Sequence, residues 1–270
     1  MRGTSRASLQ AVENRYAPVI RAAGGQARTV GEELFALVDA LDSSGSLRRT
    51  LADPSLAGEP KSALVARLLD GADARTVEIA QALVSSRWSA DADLAEATER
   101  LAFVALLTSA EADGSLVQVE EELFAVTRAL TGQRDVRRAL QDDTYPAQAR
   151  GDLAEQLLGG QGAPVTRAVV RRAAAAPRGR RFVTTLQHAG DLVAELRSRE
   201  VATVVSASPL SAAQTGRLTD LLGRALGRAV QVNVVVQPDV VGGLRVQAGP
   251  DVIDATVLSR LADARRQLAG

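Results

Sequence analysis

The spacing of hydrophobic residues along the chain changes at about residue 200. Before that point apolar side chains recur every three or four positions, as at Leu9, Val12 and Tyr16, and this spacing is typical of amphipathic helices. After that point valines alternate with other residues, as at Val230 and Val232, which is typical of strands with one buried face. We therefore predict a mostly α-helical chain with a small α/β C-terminal domain.

Glycines, prolines and Asp-Gly pairs divide the helical pattern into segments. Gly24-Gly25 follows the first segment, as glycine often follows a helix C-terminus. The predicted helices cover about residues 5–23, 30–41, 47–51, 60–69, 74–85, 92–112, 165–175 and 182–199. No window approaches the roughly 18 uncharged apolar residues that a membrane span needs, so we expect no direct membrane insertion.

The helical region contains an internal repeat. Shifted by 89 positions without a gap, residues 32–71 overlie residues 121–160 with 15 identities in 40 positions. The identities keep their order, because Glu-Glu-Leu-Phe-Ala begins both stretches and an Arg-Arg and a Leu-Leu pair follow in both. We interpret the repeat as a tandem duplication of a helical unit of about 90 residues.

The long helix predicted near 92–112 would close the first unit and open the second. We therefore expect a first helical bundle at 1–112, a second bundle at 92–200 that shares this helix, and an α/β domain at 201–270. The α/β domain should contain a short β-sheet packed with two helices.

Strand and turn signals alternate in this last region. A strand is predicted at 201–207 and a helix at 211–227, where Ser211 and Gln214 stand at capping-box spacing. Two further strands should bury one face each, formed by Val230, Val232, Val234 and Val236 in the first and by Leu244, Val246 and Ala248 in the second. Val252-Ile253 is a short apolar step, and Asp254 would cap a last helix at about 255–268. The apolar stripe of that helix comprises Val257, Leu258, Leu261 and Leu268.

At these residues the chain resembles the delta subunit family of F-type ATP synthase, whose mitochondrial relative is the oligomycin-sensitivity-conferring protein. The string Asp-Val-Val-Gly-Gly-Leu at 239–244, the strand after it and the later Val-Ile-Asp are similar to the signature of that family. The Val-x-x-x-Leu helix that follows and the Ser-Ala-Ser-Pro-Leu-Ser string at 206–211 also fit. One departure is Ala255-Thr256, where the family usually has Gly-Ser. With its duplicated bundle, the chain is similar to the extended form found in some high-GC bacteria.

The resemblance implies a non-catalytic subunit of the peripheral stalk, or stator, in which no cofactor takes part. In the family, the N-terminal bundle holds the N-terminal helices of the alpha subunits between its first and fifth helices. The C-terminal domain meets the C-terminal end of subunit b. Such a protein lies peripherally on the cytoplasmic side of the cell membrane, as part of the F1Fo complex, and resists rotor torque during proton-driven ATP synthesis.

The resemblance also implies candidate contact residues for these partners. In the first bundle they are Tyr16, Val19 and Ile20, facing Ile79 and Leu83. In the second bundle they are Leu101, Val104 and Leu107, facing Val169 and Val170. In the C-terminal helix they are Val257, Leu258 and Leu261. The alternative interpretation of the bundle positions is that they form the bundle core. We favour the second bundle as the alpha site because it adjoins the C-terminal domain.

Composition excludes several other classes of protein. Lys+Arg and Asp+Glu both number 32, so no net charge attracts nucleic acid, and without cysteine there is no thiol chemistry. The sequence has no phosphate-binding Gly-x-x-x-x-Gly-Lys-[Ser/Thr] loop, no nucleophile elbow and no Cys/His metal spacing. We therefore predict no catalytic, cofactor-binding or metal-binding residues.

Two alternative functions remain open at this point. One is a soluble helical adaptor or scaffold unrelated to ATP synthase. The other is an RNA-binding protein that uses the arginines of segment 171–181, although that segment has no interleaved aromatic residues. Trp88 is expected to pack over a bundle end rather than to anchor a partner, and His188, the single histidine, is expected to be structural.

Overall fold

A computed structural model of the chain describes residues 1, 3–198, 200–226, 230–237, 243–248 and 251–254. The chain divides into two compact units. The first comprises Met1–Leu9 and Ile20–Arg197, and the second comprises the described residues of Gln10–Val19 and Ser198–Gly270. The first unit is helical and the second contains the sheet, which confirms the predicted fold class.

The helical region contains two successive series of helices whose positions correspond. The described helices are α1 (Gly3–Ala22), α2 (Ala27–Ser43), α3 (Gly45–Ala52), α4 (Gly58–Leu68), α5 (Ala74–Ser85), α6 (Asp91–Ala112), α7 (Leu116–Ala129), α8 (Arg134–Ala139), α9 (Ala147–Gln156), α10 (Pro164–Ala175), α11 (Phe182–Ser198) and α12 (Ala212–Leu226). The starts of α2, α3 and α4 lie 89 residues before the starts of α7, α8 and α9. The structure therefore repeats its helices with the same spacing as the sequence repeat.

Helix α6 is the centre of the helical unit. Its residues from Leu101 to Leu107 are all buried, because other helices pack against it on several sides. Helix α2 packs closely against it at Gly31, where an added Cβ would lie 2.8 Å from the carbonyl oxygen of Ala102. The ring of Phe35 meets the ring of Phe103 edge to face, with 4.9 Å between centroids. These contacts fix α2 on the shared helix.

The two copies also repeat their polar contacts. Asp53 accepts hydrogen bonds from the backbone N–H and the hydroxyl of Ser55, and Asp142 accepts the same two bonds from Thr144. Lys61 is buried and donates to the carbonyl oxygen of Asp53 at 3.0 Å. Arg150, 89 residues later, is also buried and donates to the carbonyl oxygen of Ala175. Polar side chains thus hold the loops between helices in both copies.

The second unit contains a four-stranded mixed sheet in the order β2-β1-β3-β4. The strands are β1 (Glu200–Ser206), β2 (Val230–Val236), β3 (Leu244–Ala248) and β4 (Asp251–Asp254). Strand β1 pairs with β2 in parallel, and α12 connects the two as a βαβ unit. Strand β3 pairs with both β1 and β4 antiparallel. The core between sheet and helix contains Ala202, Val204, Leu222, Val230, Val232 and Val246.

Sequence patterns predicted most of this unit. The capping box at the start of α12 is present, since Ser211 and Gln214 each accept from the other's backbone N–H. The alternation in β2 is confirmed at Val230 and Val232, whereas Val236 at the end of the strand is 42% exposed. The step at 252–253 forms strand β4, because its residues complete hydrogen bonds along β3. The predicted helix at 255–268, with Val257, Leu258 and Leu261, lies outside the described residues.

Candidate partner-binding surfaces

An open cavity of about 700 Å³ lies between α2, α6 and α10 in the helical unit. Its apolar lining comprises Phe35, Leu106, Pro164, Ala168 and Ala175. Charged side chains form the rest of its wall, namely Arg28, Glu32, Glu155, Arg167, Arg171 and Arg172. An apolar floor with a charged rim can accept one face of an amphipathic helix.

Ion pairs hold the arginines of this rim in place. Arg171 donates from Nε to Glu155 at 2.8 Å and from Nη2 to Asp152. These hydrogen bonds raise the pKa of Arg171 above its ordinary value. Arg28 pairs with Glu32 one turn later on α2, at 2.7 Å. The positive charges of the rim are therefore fixed in direction and partly neutralised.

Arg172 links the two copies across the cavity. Its guanidinium lies 4.6 Å above the ring centroid of Phe35 and its Nη1 is 2.7 Å from Oδ1 of Asp39. A cation above an aromatic face is attracted by the electrons of the ring. Because the arginine belongs to α10 and its two partners belong to α2, the contact fixes the distance between the cavity walls.

A buried carboxylate forms a second link between the copies. Glu99 on α6 is 2% exposed, and its Oε2 accepts from Nη1 of Arg178 at 2.7 Å. Arg180 pairs with the other oxygen of Glu99, and Arg178 also reaches Asp42 on α2. Burial alone would lower the pKa of Arg178, but its bonds to Asp42 and Glu99 raise it. The loop after α10 is thereby tied to both α2 and α6.

In both copies a glutamate accepts hydrogen bonds from a backbone N–H and a threonine hydroxyl at the start of a helix, which is α5 in the first copy and α10 in the second. We call this arrangement the glutamate bracket. Glu33 accepts from the backbone N–H of Asp73 and from the hydroxyl of Thr76, at the start of α5. In the second copy Glu122 accepts from the backbone N–H of Ala163 at 2.9 Å and from Thr166. A carboxylate at a helix N-terminus accepts hydrogen bonds from free N–H groups, and the positive end of the helix dipole stabilises its negative charge. The bracket therefore fixes the helix that forms one wall of the cavity.

The ionised form of Glu122 is the stable one in this position. Desolvation would raise its pKa, but the hydrogen bonds from Thr166, Ala163 and Gln118, together with the charge of Arg167, outweigh desolvation and lower it. Lowering the pKa of a folded carboxyl stabilises the fold at neutral pH.

The bundle residues predicted to contact partners are mostly buried in the chain itself. Nine of the ten are at most 5% exposed, and Val19 is half-buried. The nine buried positions are Tyr16, Ile20, Ile79, Leu83, Leu101, Val104, Leu107, Val169 and Val170. Their burial is what the core alternative expects, and their contact with a partner stays a prediction.

Different residues of the same helices line the open cavity. Ala168 stands next in sequence to the buried Val169 but is half-buried at the cavity, whereas Leu106 borders the cavity and is itself 1% exposed. Helical spacing identifies the apolar face of each helix, and it does not show which part of that face another helix covers. The sequence feature that could have indicated the cavity was Phe35, an aromatic residue of the repeat that lines it.

Trp88 and His188 both have structural surroundings. Trp88 is 5% exposed and donates from Nε1 to the carbonyl oxygen of Leu83 at 2.8 Å, between α5 and α6. His188 lies edge-on to Phe103, with 6.1 Å between ring centroids. Burial lowers the pKa of His188, and the charges of Arg180 and Arg100 lower it further. The neutral imidazole therefore packs beside α6.

The structure does not favour the RNA-binding alternative. Arg171, Arg172, Arg178 and Arg180 form the ion pairs described above, with carboxylates of this same chain. Phosphate would have to compete with those carboxylates, one of which, Glu99, is buried and holds both Arg178 and Arg180. Among the residues that the structure describes, no group of acidic, histidine or cysteine side chains could hold a metal ion. Within the same residues no helix is long and apolar enough to cross a bilayer.

Comparisons with known proteins agree on one family. The family described as "ATP synthase delta (OSCP) subunit" matches residues 104–268. A protein of Beutenbergia cavernae named ATP synthase subunit delta is 48% identical over 100% of both chains. Proteins of the same name from Kineococcus radiotolerans and Streptomyces griseus are 46% and 40% identical, over 99% and 100% of this chain and 98% and 100% of theirs. A chain of the Toxoplasma gondii mitochondrial ATP synthase hexamer covers 62% of this chain and 96% of its own, at 21% identity and a TM-score of 0.27.

Proposed function

The chain belongs to the ATP synthase delta (OSCP) subunit family, and on that basis we propose that it is the non-catalytic stator subunit of an F-type ATP synthase. In this role it binds the F1 catalytic head on one side and the membrane-anchored subunit b on the other. The observation that carries the proposal is similarity over the full length to relatives named ATP synthase subunit delta. Full-length similarity also argues against an unrelated adaptor.

The partner on the head side is the N-terminal helix of an alpha subunit. Its site is the cavity between α2, α6 and α10, where Pro164, Ala168 and Ala175 form the accessible part of an apolar floor. The family resemblance places the alpha helix between the first and fifth helices of a bundle, and in the second copy these are α6 and α10. A helix that covers this floor gains roughly 25 cal/mol for each Å² of apolar surface removed from water.

The partner on the stalk side is the C-terminal end of subunit b, and its site is the α/β unit. The parallel pair of β1 and β2 with α12 provides a compact support for such contact. Leu221 on α12 is 49% exposed and Val235 on β2 is 41% exposed, so apolar surface remains for a partner. The complex as a whole would be membrane-associated, with this subunit held there by its partners.

The proposed domain division follows from the same reasoning. The first bundle at 1–112 and the second at 92–200 share α6, and the α/β domain occupies 201–270. The repeated glutamate brackets at Glu33 and Glu122 support this division, since each copy positions its own fifth helix in the same way. The extra bundle lengthens the stator or braces subunit b.

The alpha site can be tested with one variant and its matched control. Ala168→Trp fills the cavity from α10, whereas Ala92→Trp places the same side chain at an exposed position in the first turn of α6. Binding of a labelled peptide with the sequence of the alpha N-terminal segment is measured by fluorescence anisotropy on the full chain. We expect Ala168→Trp to weaken binding at least tenfold and Ala92→Trp to leave it unchanged. Equal binding by both variants would rule out the cavity as the alpha site.

A further inference from the structure

One aromatic residue of the repeat has opposite surroundings in the two copies. Phe35 on α2 is 7% exposed, whereas Phe124, which stands 89 residues later on α7, is 66% exposed. Among the residues that the structure describes, Phe124 has the largest exposed fraction of the large hydrophobic side chains. Because the two positions correspond, whatever covers Phe35 indicates what Phe124 lacks.

A helix from the following copy covers Phe35. Arg172 of α10 lies 4.6 Å above its ring and also pairs with Asp39, four residues after Phe35 on α2. Ala168 and Ala175 of the same helix line the space beside the ring. The cover is thus a helix with alanines beside the ring and an arginine above it, and that arginine is opposite in sign to residue 39.

Helix α7 presents the corresponding surface without such a cover. Val117 is 50% exposed and lies two helical turns before Phe124. Ala125 and Arg128, one and four residues after Phe124, are also exposed. We call Val117, Phe124, Ala125 and Arg128 the α7 face. A cavity of about 270 Å³ adjoins this face and is lined by Ala125, Val126, Ala129, Leu157 and Leu158, among others. Val117, Phe124 and this cavity together provide exposed apolar surface on one side of α7, and contiguous surface of that kind is where partners bind.

One charge on the α7 face is reversed relative to the corresponding position on α2. Arg128 occupies the position of Asp39, and among the described residues it makes no ion pair. Glu121, one turn before Phe124, keeps the negative charge that Glu32 has in the first copy, so the sign changes only at residue 128. A partner that covers the α7 face as α10 covers α2 would therefore place a carboxylate, and not an arginine, against residue 128.

We propose that the α7 face docks an amphipathic helix of another subunit, which covers Phe124 with small apolar residues and sets an Asp or Glu against Arg128. The inference rests on the proposed function for its choice of assembly, and it identifies a contact separate from the cavity between α2, α6 and α10. Internal symmetry supplies the geometry of the docked helix, and the reversed charge supplies its specificity.

Photocrosslinking in the assembled complex tests this proposal. The photoreactive residue p-benzoylphenylalanine replaces Phe124 in the full chain, the F1Fo complex is purified with it, and crosslinks are mapped by mass spectrometry. We expect a crosslink to a helical segment of one other subunit with an Asp or Glu within about one turn of the crosslinked residue. Arg128→Glu should lower the yield of that crosslink at least fivefold, and changing the partner carboxylate to Lys should restore it.

The same probe at position 35 is the comparison, because Phe35 lines the cavity proposed for the alpha helix. Crosslinks from position 35 within the chain or to an alpha N-terminal segment are expected, and their yield should not respond to Arg128→Glu. Presence of the chain in the complex without an intersubunit crosslink from position 124 would overturn this inference and leave the proposed function intact. Crosslinks only between two copies of the chain, or a yield that does not respond to Arg128→Glu, would overturn it as well. Absence of the chain from the complex would overturn both proposals.

Discussion

Phe35 and Phe124 form a matched pair for measuring what the copy-to-copy contact contributes to stability. Phe35→Ala removes a buried ring that meets Phe103 at 4.9 Å and carries the Arg172 guanidinium at 4.6 Å. Truncation of a buried phenylalanine to alanine costs about 3–5 kcal/mol through lost burial and the cavity left behind. The edge-to-face pair and the cation above the ring place the expected loss towards the upper end of that range, at about 4 kcal/mol.

Phe124→Ala should cost less than about 1 kcal/mol in the isolated chain, because its side chain is already 66% exposed. Both variants can be followed through the single tryptophan, since Trp88 is buried in the helical unit and its emission shifts when that unit unfolds. Urea denaturation of wild type, Phe35→Ala and Phe124→Ala on the full chain gives the two differences. Equal destabilisation by the two variants, or a loss below about 1 kcal/mol for Phe35→Ala, would refute the reasoning from the repeat.

Three further changes test other contacts of the helical unit. Gly31→Ala should destabilise the helical unit by about 1–3 kcal/mol, because the new Cβ would lie 2.8 Å from the carbonyl oxygen of Ala102. The control Gly190→Ala, on α11, places a Cβ with nothing within 4 Å and should stabilise the unit by up to about 1 kcal/mol. Thermal denaturation followed by circular dichroism compares the two variants. Glu99→Ala should cost about 3–5 kcal/mol, since it leaves Arg178 and Arg180 without their shared carboxylate, and a double-mutant cycle with Arg178→Ala that shows no coupling would contradict this. Glu122→Gln should cost about 1–2 kcal/mol at neutral pH. The pKa of Glu122 in the folded chain is lowered from 4.5. The stability that the ionised carboxylate contributes is therefore fully present above about pH 5 and is lost as the pH falls through the folded pKa. The urea midpoints of wild type and Glu122→Gln, measured between about pH 3 and 7, should converge at the acid end.

Periodicity predicted the elements of the fold because it reports burial within one element. The spacing of apolar residues predicted α5, which the structure places at Ala74–Ser85, and the shared helix α6, whose 22 residues are buried along most of their length. Strand β4 was not predicted as a strand, because Val252-Ile253 is too short to show alternation and is ordered by pairing with β3. Elements that depend on a partner strand carry little signal of their own.

The candidate surfaces were predicted less well than the elements. Leu106, Leu107, Ala168 and Val169 all belong to apolar faces by helical spacing, yet only Ala168 is left half-buried at the cavity. The arginines of segment 171–181 were recognised as a cluster, but their partners Asp39, Asp42 and Glu99 are distant in sequence. Long-range ion pairs leave no local pattern in a single sequence.

The repeat proved to be the most informative feature of the sequence. Its identities at Glu33 and Glu122 correspond to the same bracket in space, and its identity at Phe35 and Phe124 exposes a difference in environment. The sequence alone shows that the two phenylalanines correspond, and the structure shows that only one of them is covered.

The claim that this chain mechanically joins the catalytic head to the membrane sector is tested most directly by proton pumping. Membrane vesicles that carry the ATP synthase are stripped of this subunit, and ATP-driven acidification is recorded before and after the full chain is added back. The account predicts that stripped vesicles hydrolyse ATP with little acidification and that the added chain restores it. Acidification that persists at the original rate without the subunit would contradict the account.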